Sequence, residues 1–343
     1  MTGEQNGKEV LSQVRDLSVT YHTRFGPVSA VDGVSFDIYR GEILGLVGES
    51  GCGKSTLGKG LVRMISPPGE ISGGQHIFDG EDIMLYNDRQ MRDFRGRCVS
   101  MIFQDPMTSL NPVQRVDEHI IEAIQVHEPE TRKPSALART VALIERLGIQ
   151  QRRLSNYPHQ LSGGMRQRVM IGLGLVLNAD LIIADEATTS LDVIVEAQLV
   201  DQLKEIREQY GVSLLVITHN IALIAQIADR LAVMYAGRIV EIGSVFDVFD
   251  NPQHPYTQGL LQSVPTIRLD ERDELYKMPG EPPNLTHPPT GCRFHPRCPH
   301  AMDICSQERP TLLEHEPGHY VHCWLYQEHE STEAISQGNL NER

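Results

Sequence analysis

Positive charge is the first thing this chain lacks. Lys and Arg number 31 against 45 Asp and Glu, a formal net charge of −14. A general nucleic-acid binder needs a basic surface to meet the phosphate backbone, so nucleic acid is not an expected partner. Long apolar runs are missing as well. The greasiest stretch, residues 169–184, is interrupted by Asn178 and Asp180 and falls short of the roughly 18–20 apolar residues a spanning helix requires. The first ten residues are polar and hold no apolar core of a secretory signal. If the protein works at a membrane, other chains supply the spans. Disulfides are also unexpected: six cysteines without an export signal read as thiols or metal ligands. Cys52 and Cys98 stand alone, whereas the other four crowd the C-terminal end.

What is present fits a folded α/β protein. Hydrophobic residues make up 40% of the chain, too many for disorder, and 343 residues suffice for one large core and a smaller extension. Residues 1–13 are expected to be disordered. From Leu17 to Ile38 apolar residues alternate, predicting antiparallel strands broken at Gly26-Pro27 and Asp32-Gly33. Short, mostly apolar runs follow at 43–47, 99–103, 181–184 and 214–218, the pattern of parallel strands covered on both faces. Helical spacing separates them, as in 193–210, and residues 105–165 read as a mainly helical insertion. Alternation of strand and helix predicts an α/β layer fold, with the main domain at 14–250. Prolines then accumulate, predicting an extended, turn-rich segment over 251–330 and a disordered tail at 331–343.

The strand 43–47 runs into Gly48-Glu49-Ser50-Gly51-Cys52-Gly53-Lys54-Ser55-Thr56, followed by a helical pattern. Glycines at these places let successive N–H groups turn inward around an anion, and the helix start adds partial positive charge. Lys54 is placed for the β- and γ-phosphates and Ser55 for Mg²⁺. The strand at 181–184 ends in Asp185-Glu186. Neighbours on an extended chain point in opposite directions, so Asp185 suits the Mg²⁺ shell and Glu186 the attacking water. Gln104 and His219 follow two further strands, at the sheet edge where such folds bind ligands. Near Lys54 the Cys52 thiol could be acidified, but its backbone N–H is the simpler contribution.

Leu161-Ser162-Gly163-Gly164-Met165-Arg166-Gln167-Arg168, with Ser190-Leu191-Asp192 further on, resembles the signature of ATP-binding-cassette ATPases. Ser162 can cap a helix, and Gly163 and Gly164 allow close approach to an anion. The resemblance implies a P-loop NTPase with a RecA-like core, an antiparallel β-subdomain and a helical subdomain. It implies two cassettes sandwiching two ATP molecules, so that Ser162, Gly163 and Gly164 serve the partner's nucleotide. Tyr21 would stack on adenine, Gln104 would be the lid glutamine and a Mg²⁺ ligand, Asp192 the interface aspartate and His219 the switch histidine. Ala187 departs from the proline many relatives carry there.

Asn251-Pro252-Gln253-His254-Pro255-Tyr256-Thr257 and 291–299 resemble the C-terminal extension of ATPase subunits from oligopeptide, dipeptide and nickel importers. That resemblance implies a peripheral subunit on the cytoplasmic face of the cell membrane. Its partners would be a second, similar ATPase subunit, two transmembrane permease subunits and an extracytoplasmic solute-binding protein. Cys292, Cys298, Cys305 and Cys323 form C-x5-C-x6-C-x17-C, a credible cage for metal. Relatives carrying these cysteines imply a [4Fe–4S] cluster, with Zn²⁺ as the alternative, serving as a staple for a small segment poor in apolar residues.

Overall fold

The computed structural model describes residues 8–103, 109–186, 193–263 and 278–327, with side chains omitted over 193–200. Gln104 and Asp192 lie outside the described residues, as do Ala187, Ser190 and Leu191. The strands are β1 (Val10–Thr23), β2 (Gly26–Tyr39), β3 (Ile43–Val47), β4 (Gly69–Phe78), β5 (Glu81–Asp82), β6 (Val99–Ile102), β7 (Leu181–Asp185), β8 (Ser213–Ile217), β9 (Arg230–Tyr235), β10 (Arg238–Ser244), β11 (Leu313–Glu316) and β12 (His319–Val321). The described α-helices are α1 (Lys54–Leu61), α2 (Asp88–Arg97), α3 (Val116–His127), α4 (Lys133–Arg146), α5 (Gly163–Leu175), α6 (Val193–Tyr210), α7 (Ile221–Ile227), α8 (Val245–Asp250), α9 (Pro255–Gln262) and α10 (Asp303–Gln307).

Two sheets organise these elements. One is antiparallel in the order β2-β1-β4-β5; the other runs β11-β12-β10-β9-β3-β8-β7-β6. In the larger sheet β3, β6, β7, β8 and β9 are parallel. Their sequences are apolar at nearly every position because both faces are covered, and every residue of β3, β7 and β8 is buried. The carboxyl ends of β3, β7 and β8 therefore lie side by side. One apolar cluster joins the faces of these strands to α3, α4 and α5, and a second joins the opposite faces to the antiparallel sheet and α1.

Three expectations change. β1 starts at Val10, so residues 10–13 are strand and pair with β2 and β4. Asp32-Gly33 does not break β2. Leu17 and Val19 face Val34 and Val31, so the extra residue is absorbed as a bulge with Gly33 at φ +61. The C-terminal extension is also more regular than its prolines predict. β12 pairs with β10, and β11 with β12, so the segment adds two strands to the main sheet. Tyr256 and Phe294, both fully buried, pack with Tyr235 at centroid distances of 5.5 Å to each other and 4.5 and 5.2 Å to Tyr235. Strand pairing and aromatic burial hold the extension to the core.

Candidate functional site

The loop from Gly48 to Gly53 joins β3 to α1, and its glycines meet different constraints. A Cβ on Gly48 would lie 2.1 Å from the Met234 carbonyl oxygen, and one on Gly53 would lie 2.2 Å from that of Ala30. Both positions demand glycine because backbone from β9 and β2 closes in on the loop. Gly51 has open space but adopts φ +77, a left-handed conformation that glycine adopts without strain. Gly53 caps α1 with no side-chain bond to the first helical N–H groups, the arrangement in which a helix start offers N–H donors and positive potential to an anion.

Lys54 is buried, and its ammonium donates to the carbonyl oxygens of Gly48 (2.8 Å) and Glu49 (3.0 Å). Cys52 is buried beside it; burial pushes its thiol pKa up, outweighing the lowering by Lys54. The acidified thiol does not occur, because desolvation disfavours the thiolate more than one ammonium favours it. What Cys52 does supply is backbone: its N–H donates to Glu49 O (3.2 Å) and its carbonyl accepts from Gly237 N (2.7 Å).

Ser55 Oγ donates to Asp185 Oδ1 at 2.7 Å, which ties the loop to the acidic end of β7. Asp185 is buried, and desolvation raises its carboxyl pKa although Ser55, Lys59 and Lys54 oppose the shift. A hydroxyl and a carboxylate at this separation are hard oxygen donors suited to Mg²⁺. Glu186 turns elsewhere: at φ +44 it donates its N–H to Ile217 O (2.8 Å), and its Oε1 lies 3.8 Å from His219 Nδ1 just beyond β8. The two adjacent acids thus face separate neighbours, Asp185 towards Ser55 and Glu186 towards His219.

Ser50 is exposed, and Thr56 is half-buried in the first turn of α1. Tyr21 is half-buried on β1, where it packs on the antiparallel core and over Gly69. Ser162 caps α5, its Oγ accepting from Met165 N at 3.3 Å. Ser162 and Gly163 are exposed and Gly164 is half-exposed. Among the described residues no hydrogen bond or ion pair joins 162–164 to the phosphate loop.

Sequence reasoning missed a set of contacts from the extension to the loop. Tyr256 Oη accepts from Glu49 N at 2.9 Å, and Arg297 grips the Glu49 carboxylate through two bonds of 2.8 and 3.0 Å. No local motif signals this, because Arg297 lies 248 residues from Glu49.

The four C-terminal cysteines are free. Cys292 N donates to Cys305 O at 2.8 Å. Burial, with smaller contributions from neighbouring thiols, pushes Cys292 up to about 11 and Cys323 up to about 12. Cys323 feels the other three, so the set is gathered in one region. As donor chemistry, four thiols, two buried and two half-buried, suit a cationic core that would offset their repulsion as thiolates. Among the described residues, however, no group of three or more His, Cys, Asp or Glu side chains could hold a metal ion.

Known proteins match along the same lines. The ABC transporter family model matches residues 31–189, and that of the oligopeptide/dipeptide transporter C-terminal region matches residues 240–305. The chain is 43% identical over 338 residues to the dipeptide transport ATP-binding protein DppD of Bacillus subtilis (strain 168), covering 98% of this chain and 100% of the relative. It is 44% identical to the oligopeptide transport ATP-binding protein OppD of Escherichia coli (strain K12), covering 93% and 94% of the two chains. A solved dimeric ATP-binding cassette in a post-hydrolysis state with ADP and Pi shares the fold, with TM-score 0.62 and 23% identity over 68% of this chain and 99% of that one. The chain belongs to the ABC transporter family, as an ATP-binding subunit that hydrolyses ATP.

Proposed function

We propose that this subunit powers a peptide importer from the cytoplasmic face of the membrane. The observation that carries the reading is the docked extension. It falls in the region matched by the oligopeptide/dipeptide model, and relatives over nearly the whole chain are named for dipeptide and oligopeptide transport. No helix among the described residues is long and apolar enough to cross a membrane, so two permease subunits supply the path. A solute-binding protein delivers the cargo, and a second cassette completes the pair.

Phosphoryl transfer is mainly positioning and charge stabilisation, and the geometry of the loop and of the end of β7 supports the following reading of the roles. The Gly48–Gly53 backbone and the start of α1, through Ser55 and Thr56, cradle the phosphates, and Lys54 neutralises the β- and γ-oxygens. Ser55 and Asp185 would hold Mg²⁺, which would supply positive charge to offset that of the phosphates. Glu186 accepts a proton from the attacking water, and His219 contacts the γ-phosphate. Gln104 is the lid glutamine and would be a further Mg²⁺ ligand, Asp192 is the interface aspartate, and Tyr21 stacks on adenine. The exposed Ser162 and Gly163, with Gly164, close on the partner's ATP; their exposure supports that reading. We divide the chain into a cassette to about residue 250, with a helical part near 105–165, and an extension to about residue 330.

We assign Cys292, Cys298, Cys305 and Cys323 to a structural [4Fe–4S] cluster rather than zinc. What supports the choice is the spacing C-x5-C-x6-C-x17-C, which lacks the tight C-x2-C knuckle usual in zinc sites. Iron and acid-labile sulfide in anaerobically purified protein are the expected result; stoichiometric zinc in colourless protein contradicts it.

Uptake by vesicles holding the assembled transporter tests the cargo. Labelled oligopeptide should accumulate with ATP and should raise ATPase activity. Accumulation of nickel or an oligosaccharide instead would reassign the substrate.

A further inference from the structure

The contacts on Glu49 are more specific than docking requires. All three parts of this residue are engaged. Its N–H donates to Tyr256 Oη at 2.9 Å, its carboxylate is held by both terminal nitrogens of Arg297, and its carbonyl accepts from Lys54 Nζ at 3.0 Å. Two of these partners belong to the extension; the third is the phosphate-binding lysine. The extension therefore fixes the Gly48–Glu49 peptide unit, whose Gly48 carbonyl also accepts from Lys54 Nζ at 2.8 Å.

The holders are themselves rigid. Tyr256 is fully buried within the Tyr235–Phe294 cluster. The Arg297 side chain is 5% exposed; its Nε donates to Pro279 O at 2.9 Å, and the guanidinium lies 5.7 Å from the Tyr235 ring centroid. A planar fork with both nitrogens on one carboxylate fixes orientation as well as distance, which a lysine cannot reproduce. A buried ion pair of this kind is weak as a source of net stability because its desolvation cost offsets the attraction. Its consequence here is geometric: Glu49 is held at one rotation, which keeps its N–H directed at Tyr256 and its carbonyl at the ammonium. A second bracket supports the far side of the loop. Arg293, also in the extension, donates to the Ala236 carbonyl and to Asp32 Oδ2 (2.7 Å), and the adjoining Gly237 N donates to Cys52 O.

We propose that Arg297 and Tyr256 are positioning residues for ATP: they preorganise Lys54 through Glu49, so the C-terminal extension sets the nucleotide affinity of the cassette. The role does not depend on which solute is carried or on what the cysteines bind. Nucleotide binding to the purified full-length chain and steady-state ATPase activity test it, using R297Q, R297K, E49Q, Y256F and the R297Q/E49Q double variant. Loss of preorganisation raises KM for MgATP by roughly 5- to 20-fold while kcat stays within about twofold, the size of a coupling between contacting residues. R297K recovers part of the loss, and the double variant is no worse than either single one. If R297Q does not fold, Y256F, which removes only the hydroxyl that accepts from Glu49, still reports the effect. An unchanged KM in Y256F and R297Q, a fall in kcat alone, or strictly additive losses in the double variant would overturn the proposal.

Discussion

The phosphate loop and the C-terminal extension meet at Glu49 but are encoded in opposite ways. The loop is specified within nine consecutive residues: glycines where backbone or conformation excludes a Cβ, then Lys54 and Ser55 at the start of α1. The extension is specified by long-range burial, with Tyr256 and Phe294 against Tyr235 and Arg297 against Glu49 across 248 residues. Local encoding produces a motif; distributed encoding produces an interface that only the fold assembles. One site thus has a legible half and a silent half.

The comparison can be broken most severely from the silent side. Phe294→Ala removes a fully buried ring from the cluster that holds the extension and should cost about 3–5 kcal/mol, seen as a lowered urea midpoint. If the extension were a loose satellite, the midpoint of the core would not move. Lys54→Ala strikes the legible side. It removes a buried cation beside the phosphate cradle and should weaken ATP binding about 10- to 100-fold with little change in melting temperature.

Acid should act on both regions together. His76, bonded to Ser12 Oγ and near Leu61 O behind α1, and His254, at the start of α9, are both held down to about 4 by burial. Their folded pKa values lie below the unfolded value near 6.5, so between roughly pH 6.5 and 4 the unfolded chain binds more protons and stability falls as pH drops. The slope approaches about 1.4 kcal/mol per pH unit for each imidazole. Denaturation at pH 7 and 5 checks this, and replacement of His76 by Gln should flatten the dependence. The smallest effect belongs to Cys52→Ser. Because the buried thiol stays protonated, and its one contact with Lys54 Nζ is a long 3.8 Å that a hydroxyl can replace, ATP affinity should remain within about twofold. A large loss would return a chemical role to the sulfur.

The same contrast explains what the sequence could say. The parallel strands were legible because central strands are apolar throughout, and β3, β7 and β8 lie within a residue of their expected ranges. Helix α6 matched its periodicity over 193–210. The bulge at Asp32-Gly33 was not legible, since a glycine in a strand pattern reads equally as a break. β11 and β12 were hidden because Leu313–Glu316 and His319–Val321 are short and polar, and only the pairing of β12 with β10 and of β11 with β12 makes them strands. At the site, Lys54, Ser55, Asp185 and Glu186 came from motif and spacing, whereas Arg297 and Tyr256, though inside the segments that carry the importer resemblance, gave no sign of their contact with Glu49. The proline-rich setting gave no sign that buried aromatics hold the segment to the core.

The central claim is that the carboxyl ends of β3, β7 and β8 form a hydrolytic ATP site in which Asp185 and Glu186 divide the work. Single-turnover ATP hydrolysis and equilibrium ATP binding by Glu186→Gln measure it most directly. Affinity within about twofold of the parent and turnover lowered by at least about 100-fold are expected; undiminished turnover in that variant would take Glu186 out of its role on the attacking water.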